Sequence, residues 1–525
     1  MIEKRRRVLI LYPFLIAAYG VLALAAKNAA EVSLTDVVRP LGISLAIAVI
    51  AFVGGLSLTR DRHAAGLTGL AVVLWFTWYR YIVDFVAHEP WLQPLSAPEY
   101  AVPLILVIFT ATAYAAAKRL ESHLPAASRY LNRCALILLL LPAVTLLNGW
   151  RRVTEQPADQ ATELDLLPAV LPATATKSQH RPNVYLIVLD EYTGSRSLRN
   201  NYGYDNRAFE DSLRRFGFFV PQSPRSNYVH THLALASLLN WHLLEDRPPA
   251  LKVDQGALRI DYKAIEDNRT SEYLHGLGYR FFFFPSAYGA TARNRHADVQ
   301  LPDPVHVTSE FESAWYRTTL VTTARRWVCN ARGCDPASSY KPPAAEMIDW
   351  KFDQLGKLPD SAGPIFAFAH LVTPHWPYMF AKDCRHLEPY RPPNDSGVNE
   401  LPMKRAYVAQ IQCVNHKVLD LVGTLIADSK TPPIIIIQAD HGHGRFGGNF
   451  PSLGDAGSER ANERIDPFAA YYLPGHPAGV VYDSITPVNV LPRVFNHYFN
   501  ADIPLQPDET FWSTWDEPFK FTRIR

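Results

Sequence analysis

The sequence predicts an α-helical membrane domain over residues 1–150, a linker over 151–182, and an exported α/β domain over 183–525. Two observations lead to this fold class. Five uncharged apolar runs lie near the N-terminus, and short apolar strands separated by long, partly helical segments follow after residue 182. A helix of about 20 apolar residues crosses a bilayer. Strands that alternate with helices are typical of a mostly parallel sheet.

The five apolar runs predict five transmembrane helices, over residues 8–26, 40–59, 64–79, 100–117 and 134–150. The third run reaches full length only if Arg80 and Asp84 lie within it. We interpret this i,i+4 pair as snorkelling partners at the interface, with a lipid head-group contact as the alternative. A cleaved signal peptide is the alternative for the first run, but that run is long and further spans follow it.

Basic residues orient these helices. Four precede the first run, two separate the second from the third, and four separate the fourth from the fifth. The alternate loops, 27–36 and 88–99, are poor in Lys and Arg. The positive-inside rule therefore places the N-terminus in the cytoplasm, and five crossings export everything after residue 150. This topology suits a bacterial inner membrane with a periplasmic or extracellular domain.

The cysteines agree with this division of the chain. Cys134 falls in the fifth run, and the other four cysteines, Cys329, Cys334, Cys384 and Cys413, fall in the exported part. An even number in an oxidising compartment predicts two disulfides, for which Cys329–Cys334 and Cys384–Cys413 are one pairing. A zinc site is the alternative, but CxxC pairs are absent from these spacings. The formal net charge of +2 excludes the basic face that a nucleic-acid partner would need.

Four short apolar runs, over 184–189, 279–284, 365–369 and 434–437, predict buried parallel strands. Three of them are followed by acidic or imidazole side chains: Asp190 and Glu191, then His370 and His375, then Asp440, His441 and His443. Ligands of open α/β sheets bind outside the carboxyl ends of the strands. The pattern therefore predicts one crevice with a metal site built from carboxylate oxygens and imidazole nitrogens.

The residues in this order resemble a known family. Residues 182–191, Pro-Asn-Val-Tyr-Leu-Ile-Val-Leu-Asp-Glu, resemble the opening strand of the sulfatase / alkaline phosphatase superfamily, and 436–442, Ile-Ile-Gln-Ala-Asp-His-Gly, resemble its late metal motif. The resemblance covers about 181–498. Five helices before an exported domain are similar to the phosphoethanolamine transferases and lipoteichoic acid synthases. The resemblance implies a sulfatase-like domain whose catalytic metal is bound by Asp190, Asp440 and His441, with Glu191 as the second acidic position.

The same resemblance implies a nucleophile between the two motifs. Thr231 falls where transferases of this superfamily carry a threonine at the start of a helix, a position that also suits an anionic intermediate. Ser226 and Ser237 are the alternatives, and an N-cap role is the structural alternative for Thr231. His375 resembles the substrate-side histidine, which binds phosphoryl oxygens or protonates a leaving alkoxide.

Three further side chains complete the predicted site. His370 is expected to bind substrate or to support the metal. His443 is expected to contact substrate, and Arg225 to clamp a phosphate. Arg445 is a further candidate near His443. The metal is one or two divalent ions, with zinc, manganese, magnesium and calcium all left open.

Two departures from the superfamily patterns narrow the function. The chain has no Cys/Ser-x-Pro-x-Arg pattern, which argues against a formylglycine sulfatase, and it has Leu-Asp-Glu where phosphoethanolamine transferases have Gly-Glu-Thr. The resemblance implies a transferase that moves phosphoethanolamine or phosphoglycerol from a membrane phospholipid donor to a glycan or lipid acceptor through a phosphothreonine. A phosphate- or sulfate-ester hydrolase and a catalytically degenerate scaffold in envelope glycan assembly are the alternatives.

Overall fold

The computed structural model describes residues 8–28, 32, 34–88, 101–119, 122–154, 181–245, 256–301, 310–321, 343–390, 400–444, 458–514 and 517–524. The chain divides into two compact units. The helical unit combines Met1–Pro157 with Thr308–Pro336, and the sheet unit combines Ala158–Val307 with Ala337–Arg525.

The helical unit contains five N-terminal helices: α1 (Tyr12–Lys27), α2 (Leu34–Thr59), α3 (Arg62–His88), α4 (Ala101–Arg119) and α5 (Leu124–Thr154). Two stretches among the described residues, Asp36–Thr59 and Leu124–Asn148, are long and apolar enough to cross a membrane, and α1 is a shorter apolar helix. Helices are therefore present where the five transmembrane helices were predicted. Only two of the described ones have the length and composition of a membrane span.

The first helix is an integral part of this unit. It packs against α2, α3 and α5. Ala17 and Val21 are fully buried, and the Ser44 hydroxyl donates a hydrogen bond of 2.9 Å to the Ala17 carbonyl. Arg80 is exposed on α3, while the side chain of Asp84 lies outside the described residues.

The sheet unit is built on a mixed six-stranded sheet. Its strands, in the order β3-β2-β4-β1-β7-β8, are parallel except for the antiparallel edge strand β8. Within the described residues the strands are β1 (Val184–Leu189), β2 (Arg280–Phe284), β3 (Val299–Gln300), β4 (Ile365–Leu371), β5 (Tyr378–Phe380), β6 (His386–Tyr390), β7 (Ile434–Gln438), β8 (Ala469–Tyr472), β9 (Phe511–Trp512) and β10 (Thr522–Arg523). β5 pairs with β6, and β9 with β10, outside the main sheet. The four predicted strands correspond to β1, β2, β4 and β7.

Helices cover both faces of the sheet. Along β1, Val184, Leu186 and Val188 enter one apolar cluster, while Tyr185 and Ile187 enter the other. Successive strand residues face opposite sides, so a strand that is apolar throughout must be covered twice. The remaining helices are α6 (Ser195–Tyr202), α7 (Arg207–Arg215), α8 (Thr231–Asn240), α9 (Gly256–Glu266), α10 (Arg269–Gly276), α11 (Glu310–Thr318), α12 (Pro343–Gly356), α13 (Leu401–Asp428), α14 (Glu459–Arg464) and α15 (Pro487–Phe499).

One helix from the later half of the sequence, α11, belongs to the helical unit. Trp315 is 1% exposed and its ring lies 6.2 Å from that of Phe76. The Leu320 N–H donates to the Phe76 carbonyl over 3.2 Å, and Arg39 Nη1 lies 3.7 Å from Glu312 Oε2. The sequence prediction assigned all of 183–525 to the exported domain, and the apolar face of α11 gave no sign of its packing partner.

A disulfide joins Cys384 to Cys413, one of the two predicted pairs. Cys329 and Cys334 lie outside the described residues. Cys134 is a free thiol in α5, as predicted. Most of the predicted linker also lies outside the described residues, and its first four residues continue α5 to Thr154.

Candidate metal and nucleophile site

The carboxyl ends of three neighbouring strands meet at one edge of the sheet. β1 lies between β4 and β7, with Val188 opposite both His370 and Gln438. Asp190 directly follows β1, and Asp440 comes two residues after the end of β7. Parallel pairing in this register brings together side chains that are far apart in sequence.

Asp190, Asp440 and His441 form a buried cluster with ligand atoms all within 4.8 Å of one another. Nδ1 of His441 donates to the Gly442 carbonyl over 3.1 Å, so Nε2 carries the lone pair. This Nε2 lies 3.2 Å from Asp440 Oδ2. The imidazole is therefore held in the tautomer that a metal requires.

The two carboxylate oxygens of Asp440 have different surroundings. Its Oδ1 accepts the backbone N–H groups of Glu191 (3.1 Å) and His441 (2.9 Å), whereas its Oδ2 is buried without a hydrogen-bond donor. Burial, with Asp190 nearby, raises the pKa of Asp440 to about 7. Two adjacent buried carboxylates, a carboxylate oxygen without a hydrogen-bond donor and an imidazole nitrogen that carries its lone pair fit a divalent metal ion.

Thr231 reaches this cluster from a helix N-terminus. It is the first residue of α8, and its Oγ1 lies 3.2 Å from His441 Nε2. The free N–H groups of the first turn favour negative charge at this point. The two alternative serines have other surroundings. Ser237 donates to the His242 carbonyl over 2.7 Å near the other end of α8, and Ser226 is fully buried in the preceding loop.

His370, which lies in β4, and His375, which follows it, differ in access. His370 is fully buried, with Nδ1 2.8 Å from Thr291 Oγ1 and Nε2 3.5 Å from Asp190 Oδ2. Burial lowers the pKa of His370 to about 3. The side chain of His375 is 24% exposed, and its backbone N–H donates to the Asp190 carbonyl over 3.0 Å. His375 thus lies on the open side of the cluster, and His370 lies behind Asp190.

His443 lies in a buried network rather than on an open surface. Its Nδ1 is 2.6 Å from the Tyr202 hydroxyl, its Nε2 is 2.8 Å from the Tyr378 hydroxyl, and its ring stacks on Tyr407 at 4.3 Å. Tyr202 also donates to Glu463. Both ring nitrogens of His443 are therefore engaged by protein hydroxyls, and its predicted contact with a substrate stays a prediction.

The carboxylate of Glu191 is paired with Arg464. Its Oε1 accepts a hydrogen bond from Arg464, and its Oε2 lies 3.9 Å from His375 Nε2. Burial raises the pKa of Glu191, but His375 and Arg464 together outweigh it and hold that pKa well below its usual range. The Glu191 backbone is left-handed, with φ 59°, a conformation that non-glycine residues adopt rarely and mostly at functional sites.

Arg464 is a site residue that the sequence analysis missed. It ends α14 and is 3% exposed. Its Nε donates to the Val229 carbonyl over 2.9 Å, and its Nη1 donates to the His443 carbonyl over 2.8 Å. α14 reads Glu-Arg-Ala-Asn-Glu-Arg and carries four charged residues, so no pattern singles this arginine out.

Gly442 allows the late metal motif to pass close to α14. A Cβ at this position would lie 2.0 Å from the Glu463 carbonyl oxygen. The Gly442 N–H also donates to the Arg464 carbonyl over 2.7 Å. The glycine of the Asp-His-Gly motif is therefore required by packing against backbone.

Arg225 is half-buried in the loop before α8, and Arg445 lies outside the described residues. Their predicted contacts with a phosphate stay predictions.

Comparison with known proteins gives matches among solved structures. The structure matches members of the alkaline phosphatase and sulfatase superfamily. One match is the C-terminal periplasmic domain of EcEptC from Escherichia coli, in complex with Zn, at 13% identity and TM-score 0.38, covering 62% of this chain and 84% of that chain. Another is the C-terminal periplasmic domain of phosphoethanolamine transferase EptC from Campylobacter jejuni, at 10% identity and TM-score 0.37, covering 62% and 91%.

A third match is the phosphonate monoester hydrolase of Agrobacterium radiobacter, at 16% identity and TM-score 0.36, covering 63% of this chain and 80% of that chain. No family model and no curated protein matches the sequence. At these identities and TM-scores the structural matches carry no argument about activity, which depends on the side chains of this chain.

Proposed function

We propose that this protein is a membrane-anchored, metal-dependent phosphotransferase. It takes a phosphate-linked head group, phosphoethanolamine or phosphoglycerol, from a membrane phospholipid and passes it to an envelope glycan or lipid acceptor. The observation that carries this proposal is the position of the Thr231 hydroxyl at a helix N-terminus, 3.2 Å from Nε2 of His441 and beside two buried carboxylates. A hydroxyl in such surroundings is the nucleophile that a covalent phosphoryl transfer needs.

The side chains divide the work as follows. Asp190, Asp440 and His441 would hold the divalent metal, whose chemistry would be to acidify a neighbouring hydroxyl and to neutralise charge on phosphoryl oxygens. Thr231 loses its proton to water and bonds to phosphorus as the bond from phosphorus to the diacylglycerol oxygen breaks. The N-terminus of α8 stabilises the phosphothreonine anion. The acceptor hydroxyl then attacks the phosphorus as the bond to Thr231 Oγ1 breaks. His375, neutral after the first step, takes the proton of the acceptor hydroxyl, and the released Thr231 oxygen regains a proton from water.

His375 supplies the proton for the leaving group. Its side chain is partly exposed beside the cluster, and its backbone N–H is tied to the residue that follows β1, so the imidazole stays near the site. A lipid alkoxide is a poor leaving group and gains most from a positioned acid. His370, buried against Asp190, orients that carboxylate rather than substrate.

The packing of α11 bears on the topology of the helical unit. This helix lies between strands of the sheet unit in sequence, yet it packs on Ala25, Val37, Phe76 and Leu146. Ala25 is near the end of α1 and Val37 near the start of α2, where the connecting loop is poor in basic residues. Arg60 directly follows the last residue of α2, and Lys118 lies in the last turn of α4, so both are at the other side of the helical unit. The end that α11 covers is therefore the outer one, which supports five crossings with the N-terminus in the cytoplasm.

Head-group release from defined lipids tests this function. The full-length protein, in vesicles that contain phosphatidylethanolamine or phosphatidylglycerol, should release diacylglycerol from one of them. A divalent chelator should stop the release. A product in which water is the sole acceptor would instead identify a hydrolase. No release from either lipid by metal-loaded protein would contradict the proposal.

A further inference from the structure

Arg464 and Glu191 form a buried ion pair beside the metal cluster. Arg464 Nη1 lies 2.5 Å from Glu191 Oε1, and both side chains are at most 5% exposed. The two residues are separated by 273 positions in sequence. Burying two charges carries a desolvation penalty, which further hydrogen bonds to both side chains must offset.

The guanidinium is fixed on three sides by backbone. It donates to the carbonyl oxygens of Val229, Gly442 and His443, at 2.9, 3.2 and 2.8 Å. Its Nη2 lies 3.1 Å from His441 Nε2. The planar fork of arginine satisfies such a set of acceptors, whereas the point charge of a lysine does not. Arg464 is therefore a permanent positive charge at a set position.

Glu191 is turned away from the metal cluster by this contact. The ligand atoms that lie within 4.8 Å of one another come from Asp190, Asp440 and His441, and Glu191 is not among them. Its Oε1 accepts from Arg464, whereas its Oε2 is buried without a hydrogen-bond donor, 3.9 Å from His375 Nε2. The acidic residue that the sequence offers as a ligand is thus already neutralised by a side chain of the protein.

We propose that Arg464 acts as a fixed cation that holds Glu191 out of the metal's ligand set, so that the site binds a single divalent ion. This inference rests on the metal site of the proposed function and adds its stoichiometry and ligand set. Arg464 is a positioning residue. Because its Nε binds the Val229 carbonyl two residues before Thr231, it also ties the start of α8 to Glu191.

The charges of the cluster agree with one ion. Asp190, Glu191, Asp440 and Glu463 are buried carboxylates in and around the cluster, and the buried cations Arg464 and Lys351 offset two of the four. One divalent ion neutralises the remaining two. A second divalent ion would leave an excess of buried positive charge, which is as unfavourable as an excess of negative charge.

Metal titration of the metal-free full-length protein tests this inference without measuring activity. Manganese and zinc are each titrated by calorimetry, and bound metal is counted by mass spectrometry after gel filtration. Wild type should bind one ion. Asp440→Asn, which removes a ligand oxygen, should weaken binding more than about 100-fold. Glu191→Gln should bind one ion within about tenfold of the wild-type affinity, below the usual effect of losing a ligand.

The double variant Glu191→Gln/Arg464→Met guards against misfolding. Arg464→Met alone leaves Glu191 buried without its partner and should lower the unfolding temperature. The double variant should recover part of that temperature, because the Val229, Gly442 and His443 carbonyls still lack the guanidinium, and it should still bind one ion. A loss of more than tenfold in affinity for Glu191→Gln, or two ions in wild type, would overturn the inference and leave the proposed function standing. A wild-type protein that binds no ion would overturn both.

Discussion

His441 and His443 lie two residues apart after the same strand, yet their surroundings differ completely. Nε2 of His441 faces Asp440, Thr231 and Arg464. Both nitrogens of His443 meet tyrosine hydroxyls, and its ring is stacked on a third tyrosine. A histidine whose Nδ1 is fixed as the donor can offer the lone pair of its Nε2 to a metal when a carboxylate of the same cluster lies beside that nitrogen. A histidine whose two nitrogens both bind tyrosine hydroxyls of the fold holds the structure together.

The largest expected effect lies on the His441 side. Thr231→Ala should lower lipid turnover by at least about 10⁴-fold, because it removes the nucleophile, and should leave the unfolding temperature unchanged. Ser237→Ala is the matched control in the same helix, because that hydroxyl is bonded to the His242 carbonyl. Turnover by this control should stay close to wild type. Equal losses in both variants would show that α8 matters for folding only.

The next effect concerns the acid. His375→Gln should lower turnover of a phospholipid by about 10²–10³-fold, within the usual range for a general acid. A phosphodiester with a nitrophenol leaving group needs no proton, so the same variant should lose far less on it. The ratio of the two losses, measured on one preparation, is the readout. Similar losses on both substrates would assign His375 to binding instead.

His443→Phe tests the other side of the comparison. It removes the partner of two buried tyrosine hydroxyls and should cost about 2–3 kcal/mol of stability, seen as a lower unfolding temperature. The ion content should stay at the wild-type value. His441→Phe should show the reverse pattern, with the ion lost and the unfolding temperature of the metal-free protein nearly unchanged. Loss of the ion in His443→Phe would contradict the division.

Gly442→Ala should have the smallest of these effects that is still measurable, about 2 kcal/mol, because the new methyl group meets a backbone oxygen that cannot move freely. Gly276→Ala is the control, since a Cβ there meets nothing within 4 Å. Thermal unfolding of the two variants beside wild type measures the difference. An unfolding temperature unchanged by Gly442→Ala would show that α14 can shift away.

The sheet and the metal cluster could be predicted because their signals are local. Uniformly apolar runs give β1, β4 and β7, and parallel pairing brings Asp190, His370 and Asp440 to one edge. Thr231 was predicted from a family resemblance, and the structure brings it to the cluster. Its role as nucleophile stays a proposal.

The remainder could not be predicted because it depends on contacts between distant parts of the chain. Arg464 meets Glu191 across 273 positions, and the tyrosines around His443 come from α6, β5 and α13. Trp315 on α11 packs on Phe76 of α3. A periodic or apolar pattern identifies a buried face, but it does not identify the partner that covers the face.

Intact mass of the full-length protein tests the central claim most directly. Metal-loaded wild type, mixed briefly with phosphatidylethanolamine or phosphatidylglycerol and quenched in acid, should gain the mass of one head-group phosphate, and peptide mapping should place it on Thr231. Thr231→Ala should gain none. Diacylglycerol release by wild type without any adduct, or the same adduct on Thr231→Ala, would contradict a phosphothreonine at position 231.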